Sequence, residues 1–97
     1  MAVVYSEKSI EQALTKEVKK RGGLALKFIS PGMIGVPDRL ILMKGGKLAF
    51  IELKAPKKKM RPLQIKRKSQ LEVLGFSVYC IDNKEQIGGV LDEICAT

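Results

Sequence analysis

Two short apolar runs, Leu-Ile-Leu-Met at 40–43 and Leu-Ala-Phe-Ile-Glu-Leu at 48–53, lie on either side of Gly45-Gly46. Strand-forming segments separated by a glycine pair predict a β-hairpin. Both runs are apolar on both of their alternating faces, so the hairpin is expected at the centre of a sheet that is covered on each side. The ends of the hairpin break this pattern, because Asp38 precedes the first run while Glu52 and Lys54 close the second. Ionised groups are costly to bury unless they are paired, hydrogen-bonded or bound to a metal, so these ends require compensation.

The remaining periodicities place elements around the hairpin. Ser6 is a suitable N-cap for a helix over about residues 7–21, with Ile10, Leu14 and Val18 at four-residue spacing and Gly22-Gly23 as the stop. A strand is predicted over 24–29, broken by Ser30-Pro31-Gly32. Pro62 suits the first position of a helix reaching about Leu74, with Gly75 after it, and a fourth strand is expected over 76–81. Asp82 or Asn83 can cap a last helix bearing Ile87, Val90, Leu91 and Ile94, which Gly88-Gly89 weakens. The order α-β-β-β-α-β-α implies an α/β fold with a mixed sheet and helices on both faces, the helix between the third and fourth strands forming a parallel crossover.

With 97 residues, the chain is the size of one domain, and a single domain over 1–97 is expected. Its first residues lack the basic start and long apolar run of a secretory leader. No stretch nears the roughly 18 apolar residues of a membrane span. A cytosolic protein without a membrane partner is expected. Cys80 and Cys95 form no Cys-x-x-Cys pair, so both are read as buried free thiols. The complete lack of histidine excludes histidine-based acid/base and nucleophilic catalysis and histidine-ligated metals.

The net charge of +8 is local: Lys54, Lys57, Lys58, Lys59, Arg61, Lys66, Arg67 and Lys68 fall in one stretch without an acidic residue, and the rest of the chain is formally neutral. Such a patch suits a polyanion such as nucleic acid, although a solvated lysine loop is an equal reading of the run taken alone.

Glu52 and Lys54 are two apart on a strand and share a face. Whether Asp38 joins them depends on register. A two-residue Gly45-Gly46 turn sets Asp38 opposite Leu53, whereas a three-residue Lys44-Gly45-Gly46 turn with a left-handed glycine sets it opposite Glu52. The second register is predicted. Asp38, Glu52 and the Leu53 carbonyl then offer oxygen ligands for a hard cation such as Mg²⁺, and Lys54 a charge for an attacking water or a phosphate transition state. The competing interpretation is a surface salt bridge of Glu52 with Lys54 or Arg39. Glu7 or Glu11 can reach inward from the first helix, and Gln64 shares the packing face of Leu71.

Taken together, Glu7 in SEKSIEQAL, GGLALKF, GVPD ending at Asp38, IELKAP with Glu52 and Lys54, and RPLQ ending at Gln64 resemble the VRR-NUC domain of the PD-(D/E)XK nuclease superfamily, in order over nearly the whole chain. The resemblance implies a restriction-endonuclease-like αβββαβ core and a Mg²⁺- or Mn²⁺-dependent DNA endonuclease. Asp38, Glu52 and Leu53 then ligate the metal, Lys54 serves the water, and Glu7 and Gln64 complete the site, with Glu11 in reserve. It further implies phosphate contacts from Lys27, Lys57, Lys58, Lys59, Arg61, Lys66 and Arg67. Stand-alone members of this size occur in phages and are similar to Holliday junction resolvases. A homodimer acting on branched DNA, within the cytoplasm of a bacterial host, follows from that likeness. The alternatives are a flap or nicking endonuclease, a non-catalytic nucleic-acid-binding module and a small interaction protein.

Overall fold

The computed structural model describes residues 6–97. The first five residues, part of the stretch on which the reading of no leader rests, lie outside these. Helix α1 (Glu7–Lys20) begins where the Ser6 hydroxyl accepts a hydrogen bond from the Ser9 N–H at 3.1 Å, the expected N-cap. Ile10, Leu14 and Val18 form one fully buried stripe, each contributing about 1.5–3 kcal/mol of apolar burial. The chain then turns at Gly22, whose φ of +82° is left-handed. At Gly23 a Cβ would lie 2.4 Å from the Met43 sulfur and 2.6 Å from the Leu42 carbonyl oxygen, so α1 meets the sheet through glycine.

Strands β1 (Leu24–Lys27), β2 (Arg39–Met43), β3 (Lys47–Leu53) and β4 (Ser77–Ile81) form one sheet in that spatial order. The pairs β1–β2 and β2–β3 are antiparallel, and β3–β4 is parallel. Helix α2 (Pro62–Val73) makes the crossover and α3 (Gln86–Ala96) ends the chain. The hairpin occupies the two central positions, as its apolar composition predicts. β1 stops two residues short of the expected end; Phe28 still donates to the Asp38 carbonyl at 2.8 Å before the turn at Ser30. The start of α3 also differs from expectation. Asn83 accepts the Glu85 N–H in a tight turn ahead of the helix, which therefore begins at Gln86.

Ala49, Ile51 and Leu53 of β3 face α1 and α3 and join Ile41, Ile81, Ile87, Leu91 and Ile94 in the main core. The opposite face carries Phe28, Phe50 and Phe76, with ring centroids 5.4 and 6.1 Å apart. Its helix, α2, has no buried residue, and Ile65, Val73 and Leu74 are exposed. Both thiols are free, but Cys80 is only half-buried and Cys95 is exposed. Cys95 follows Ile94 out of the apolar stripe of α3 in the last turn. Among the described residues no helix is long and apolar enough to cross a membrane.

Candidate active site

Register decides whether the charged hairpin ends converge. Met43 pairs with Lys47 around a three-residue Lys44-Gly45-Gly46 turn in which Gly45 and Gly46 take φ of +81° and +73°. The ladder runs to Arg39 opposite Ile51, and one step further Asp38 stands beside Glu52. The sequence-predicted register is the observed one.

Asp38 is fixed by its own acceptor geometry. Its Oδ2 accepts the Leu53 N–H at 2.8 Å, while the Lys54 N–H donates to the Ile81 carbonyl at 2.9 Å. The end of β3 is thus tied on both sides. The Leu53 side chain is buried in the core, so only its carbonyl is available to the proposed ligand set.

Glu52 is 2% exposed and is the buried charged residue of the core. Its Oε2 accepts both from Lys54 Nζ at 3.2 Å and from Gln64 Nε2 at 2.5 Å. Both donors sit on the same oxygen. Oε1 is buried and has no partner among the described residues. Burial, and next the negative charge of Asp38, push the Glu52 carboxyl up to about 7, with Lys54 opposing them. The salt bridge with Lys54 exists, but not as a surface pair.

Gln64 holds its position through the start of α2, where its Oε1 accepts the Arg61 N–H at 2.8 Å. One amide therefore joins Glu52 to the basic loop. Glu7, Lys54, Lys58, Lys59 and Arg61 line a cleft of ≈ 430 Å³ at this end of the sheet. Glu11 points elsewhere, to Arg39 at 3.3 Å. Arg39 also donates to the Ala25 carbonyl at 3.1 Å, and so braces α1 against β1 and β2.

The other basic residues are dispersed. Lys27 pairs with Arg39 and emerges on the α1 face, opposite the face from which Glu52 meets α2. Lys66 is exposed on α2, and Arg67 ties that helix to the β1–β2 loop by donating to the Ile34 carbonyl at 2.8 Å, while also donating to Gln70 one turn on at 2.9 Å. Lys57 is exposed in the turn after β3. Two neighbours escaped the sequence reading: Cys80, which pairs with Glu52 across the parallel ladder, and the Glu11–Arg39 brace. Burial and the Glu52 charge push the Cys80 thiol up, keeping it protonated. A parallel register leaves no local sequence signal.

The donor set fits a hard divalent cation. No group of three or more acidic, cysteine or histidine ligands occurs among the described residues. Two adjacent carboxylates, one with a buried and unpartnered oxygen, nevertheless match Mg²⁺, which keeps several waters and is held by one or two carboxylates together with substrate phosphates.

The fold defines the class. A solved structure described as "VRR_NUC domain" superimposes with a TM-score of 0.83 over 91% of this chain and 97% of its own length, at 21% sequence identity. The protein "Putative nuclease p44" of Acyrthosiphon pisum secondary endosymbiont phage 1 is 47% identical over 79 residues, which are 81% of this chain and 85% of that protein. No protein-family model matches the chain. By that relative the chain belongs to the family of the phage nuclease p44, and its fold is that of the VRR-NUC domain.

Proposed function

We propose that this protein is a divalent-metal-dependent endonuclease that hydrolyses phosphodiester bonds in branched DNA, four-way junctions foremost. The observation that carries the reading is the buried, unpartnered Oε1 of Glu52, set beside Asp38 at the edge of a cleft lined by Lys54, Lys58, Lys59 and Arg61. A buried carboxylate oxygen left open is costly in a fold and useful to a cation.

Asp38 and Glu52, with the Leu53 carbonyl, would hold Mg²⁺ or Mn²⁺, which when bound supplies Lewis-acid polarisation of the phosphate and acidifies water. Gln64 and Lys54 fix the Glu52 carboxylate by occupying Oε2, which leaves Oε1 for the cation. The Lys54 ammonium faces the same cleft and stabilises negative charge on a phosphoryl oxygen as water attacks phosphorus and the bridging P–O bond breaks. Glu7, which lines the same cleft, would accept a hydrogen bond from the attacking water. Lys58, Lys59 and Arg61 neutralise flanking phosphates, so binding is salt-sensitive and largely blind to sequence.

Paired cuts across a junction need two sites. The exposed apolar side chains of α2 and of Ile29 and Ile34, beside an apolar hollow of ≈ 280 Å³ between α2 and the β1–β2 loop, support a homodimer. The phage origin of the p44 relative supports action in the cytoplasm of a bacterial host.

The test is a panel of four-way junction, flap, nicked, single-stranded and plain duplex DNA, with Mg²⁺, Mn²⁺ or chelator. The wild type should cut the junction with either metal and not with chelator, and Glu52→Ala should bind it without cutting. Equal behaviour of the two proteins ends the enzyme reading. Preferential cutting of flaps or nicks replaces only the substrate assignment. Light scattering that shows a monomer at micromolar concentration removes the paired-site reading.

A further inference from the structure

Helix α2 rests on the sheet without a buried residue of its own. Helical stability in a folded chain comes mostly from an apolar face packed away from water, so a helix seated this shallowly needs other anchors. Yet α2 carries Gln64, whose Nε2 lies 2.5 Å from Glu52 Oε2 and fixes the carboxylate of the candidate cation site. The precision of that contact has to be supplied from elsewhere on the helix.

Arg67 stands one turn beyond Gln64. Its Nε donates to the Ile34 carbonyl at 2.8 Å and its Nη1 to Gln70 Oε1 at 2.9 Å, so two of its donors are engaged within the protein. Gly35 follows Ile34 and closes on the same helix. A Cβ there would lie 2.7 Å from Leu63 Cγ and 3.4 Å from Arg67 Cγ, and its φ of +85° is left-handed. Leu63 and Arg67 are four apart and share a helix face, with Gln64 beside them. Beyond Arg67 the helix and the β1–β2 loop stand apart around the hollow lined by Phe28, Met33, Gln70, Leu71 and Leu74. The seat of α2 on this loop is therefore the Leu63–Arg67 turn that presents Gln64. The loop itself runs on from Gly35 through the buried Pro37 to Asp38.

Resting on the two-carboxylate cation site of the proposed function, we propose that Arg67 is a positioning residue. Its bond to the Ile34 carbonyl, with Gly35 closed on Leu63, seats α2 so that Gln64 holds Glu52 Oε2 while Oε1 stays open to the cation. The clasp acts through Gln64 and needs no contact with DNA, in contrast to the phosphate role that the family resemblance implies for Arg67.

The experiment measures Mn²⁺ binding by calorimetry for wild type, Arg67→Met and Gly35→Ala, each with Gln64 intact and with Gln64→Ala. Alongside it runs the salt dependence of binding to a labelled four-way junction at saturating Ca²⁺. Arg67→Met removes the donors and keeps an unbranched apolar stem, whereas Gly35→Ala opens the clasp from the loop without changing a charge. Each should weaken Mn²⁺ binding about 10-fold, the lower end of the cost of losing an outer partner of a metal ligand. Neither should weaken it further once Gln64 is alanine, since changes that act through one contact do not add. The slope of log affinity against log salt should stay that of wild type in both. An Arg67→Met protein with wild-type Mn²⁺ affinity and a slope shallower by about 0.9 has lost a phosphate contact instead, which overturns the positioning role. Losses that add in full to that of Gln64→Ala, or a lower melting temperature with unchanged Mn²⁺ affinity, overturn it as well and leave the cation site intact. Wild type that fails to bind Mn²⁺ removes the cation site and the clasp together.

Discussion

Gln64 Nε2 lies 2.5 Å from Glu52 Oε2, so the amide of α2 and the buried carboxylate of β3 hold each other across the sheet face. The same amide receives the Arg61 N–H through its oxygen. Its two ends connect the carboxylate to the loop carrying the cleft cations, and the orientation of Glu52 depends on a residue that need not touch the substrate.

Gln64→Ala should therefore weaken Mn²⁺ binding by about 10–100-fold, the usual cost of removing an outer partner of a metal ligand. Titration calorimetry reads this directly, and Gln64→Glu should not rescue it, since it places a second charge on Glu52 Oε2.

Asp38 combines two tasks that substitution can separate. Asp38→Asn keeps an acceptor for the Leu53 N–H, so the melting temperature should stay near that of wild type while Mn²⁺ binding is lost. Asp38→Ala leaves that N–H without its acceptor, and an additional loss of about 1–3 kcal/mol is expected from chemical denaturation.

The pH dependence of stability has a definite sign. Burial beside Asp38 pushes the Glu52 carboxyl up to about 7 in the fold, from an ordinary value of 4.5. Between these values the folded chain holds more protons than the unfolded one, so its contribution to stability is fully present below 4.5 and lost as pH rises through 7. A divalent cation held by the ionised carboxylate would reverse the trend. Melting curves should show metal-free protein weakening from pH 5 to 8, and the increment from Mg²⁺ growing over the same interval.

Lys54→Met should retain Mn²⁺ binding and lower the single-turnover cleavage rate by about 10²–10³-fold, the effect of removing one charge-stabilising donor from a transition state. A parallel loss of metal affinity would instead make Lys54 a partner of Glu52 alone.

Much of this architecture was legible in the sequence because the signals were local. Alternating apolar positions and a glycine pair fixed the hairpin, and only the three-residue turn brings Asp38 beside Glu52, so turn chemistry alone decided the convergence. The four-residue spacing of Ile10, Leu14 and Val18 likewise fixed the inner face of α1. The choice between Glu7 and Glu11 was not legible, because both lie near one helical arc and the pairing of Glu11 with Arg39 is a tertiary contact. Lys27 illustrates the same boundary. Its place in the β1–β2 register puts it on the face away from Glu52, although its position in the sequence gave no hint of that separation. The exposed flank of α2 was also hidden, since its apolar residues read equally well as core.

The most direct test of the two-carboxylate cation site is anomalous diffraction from a crystal of the protein soaked in Mn²⁺. The account predicts a peak at coordination distance, about 2.1 Å, from Glu52 Oε1 and from an Asp38 carboxylate oxygen. A crystal with Mn²⁺ bound elsewhere, or none between these two side chains at saturating metal, would contradict it.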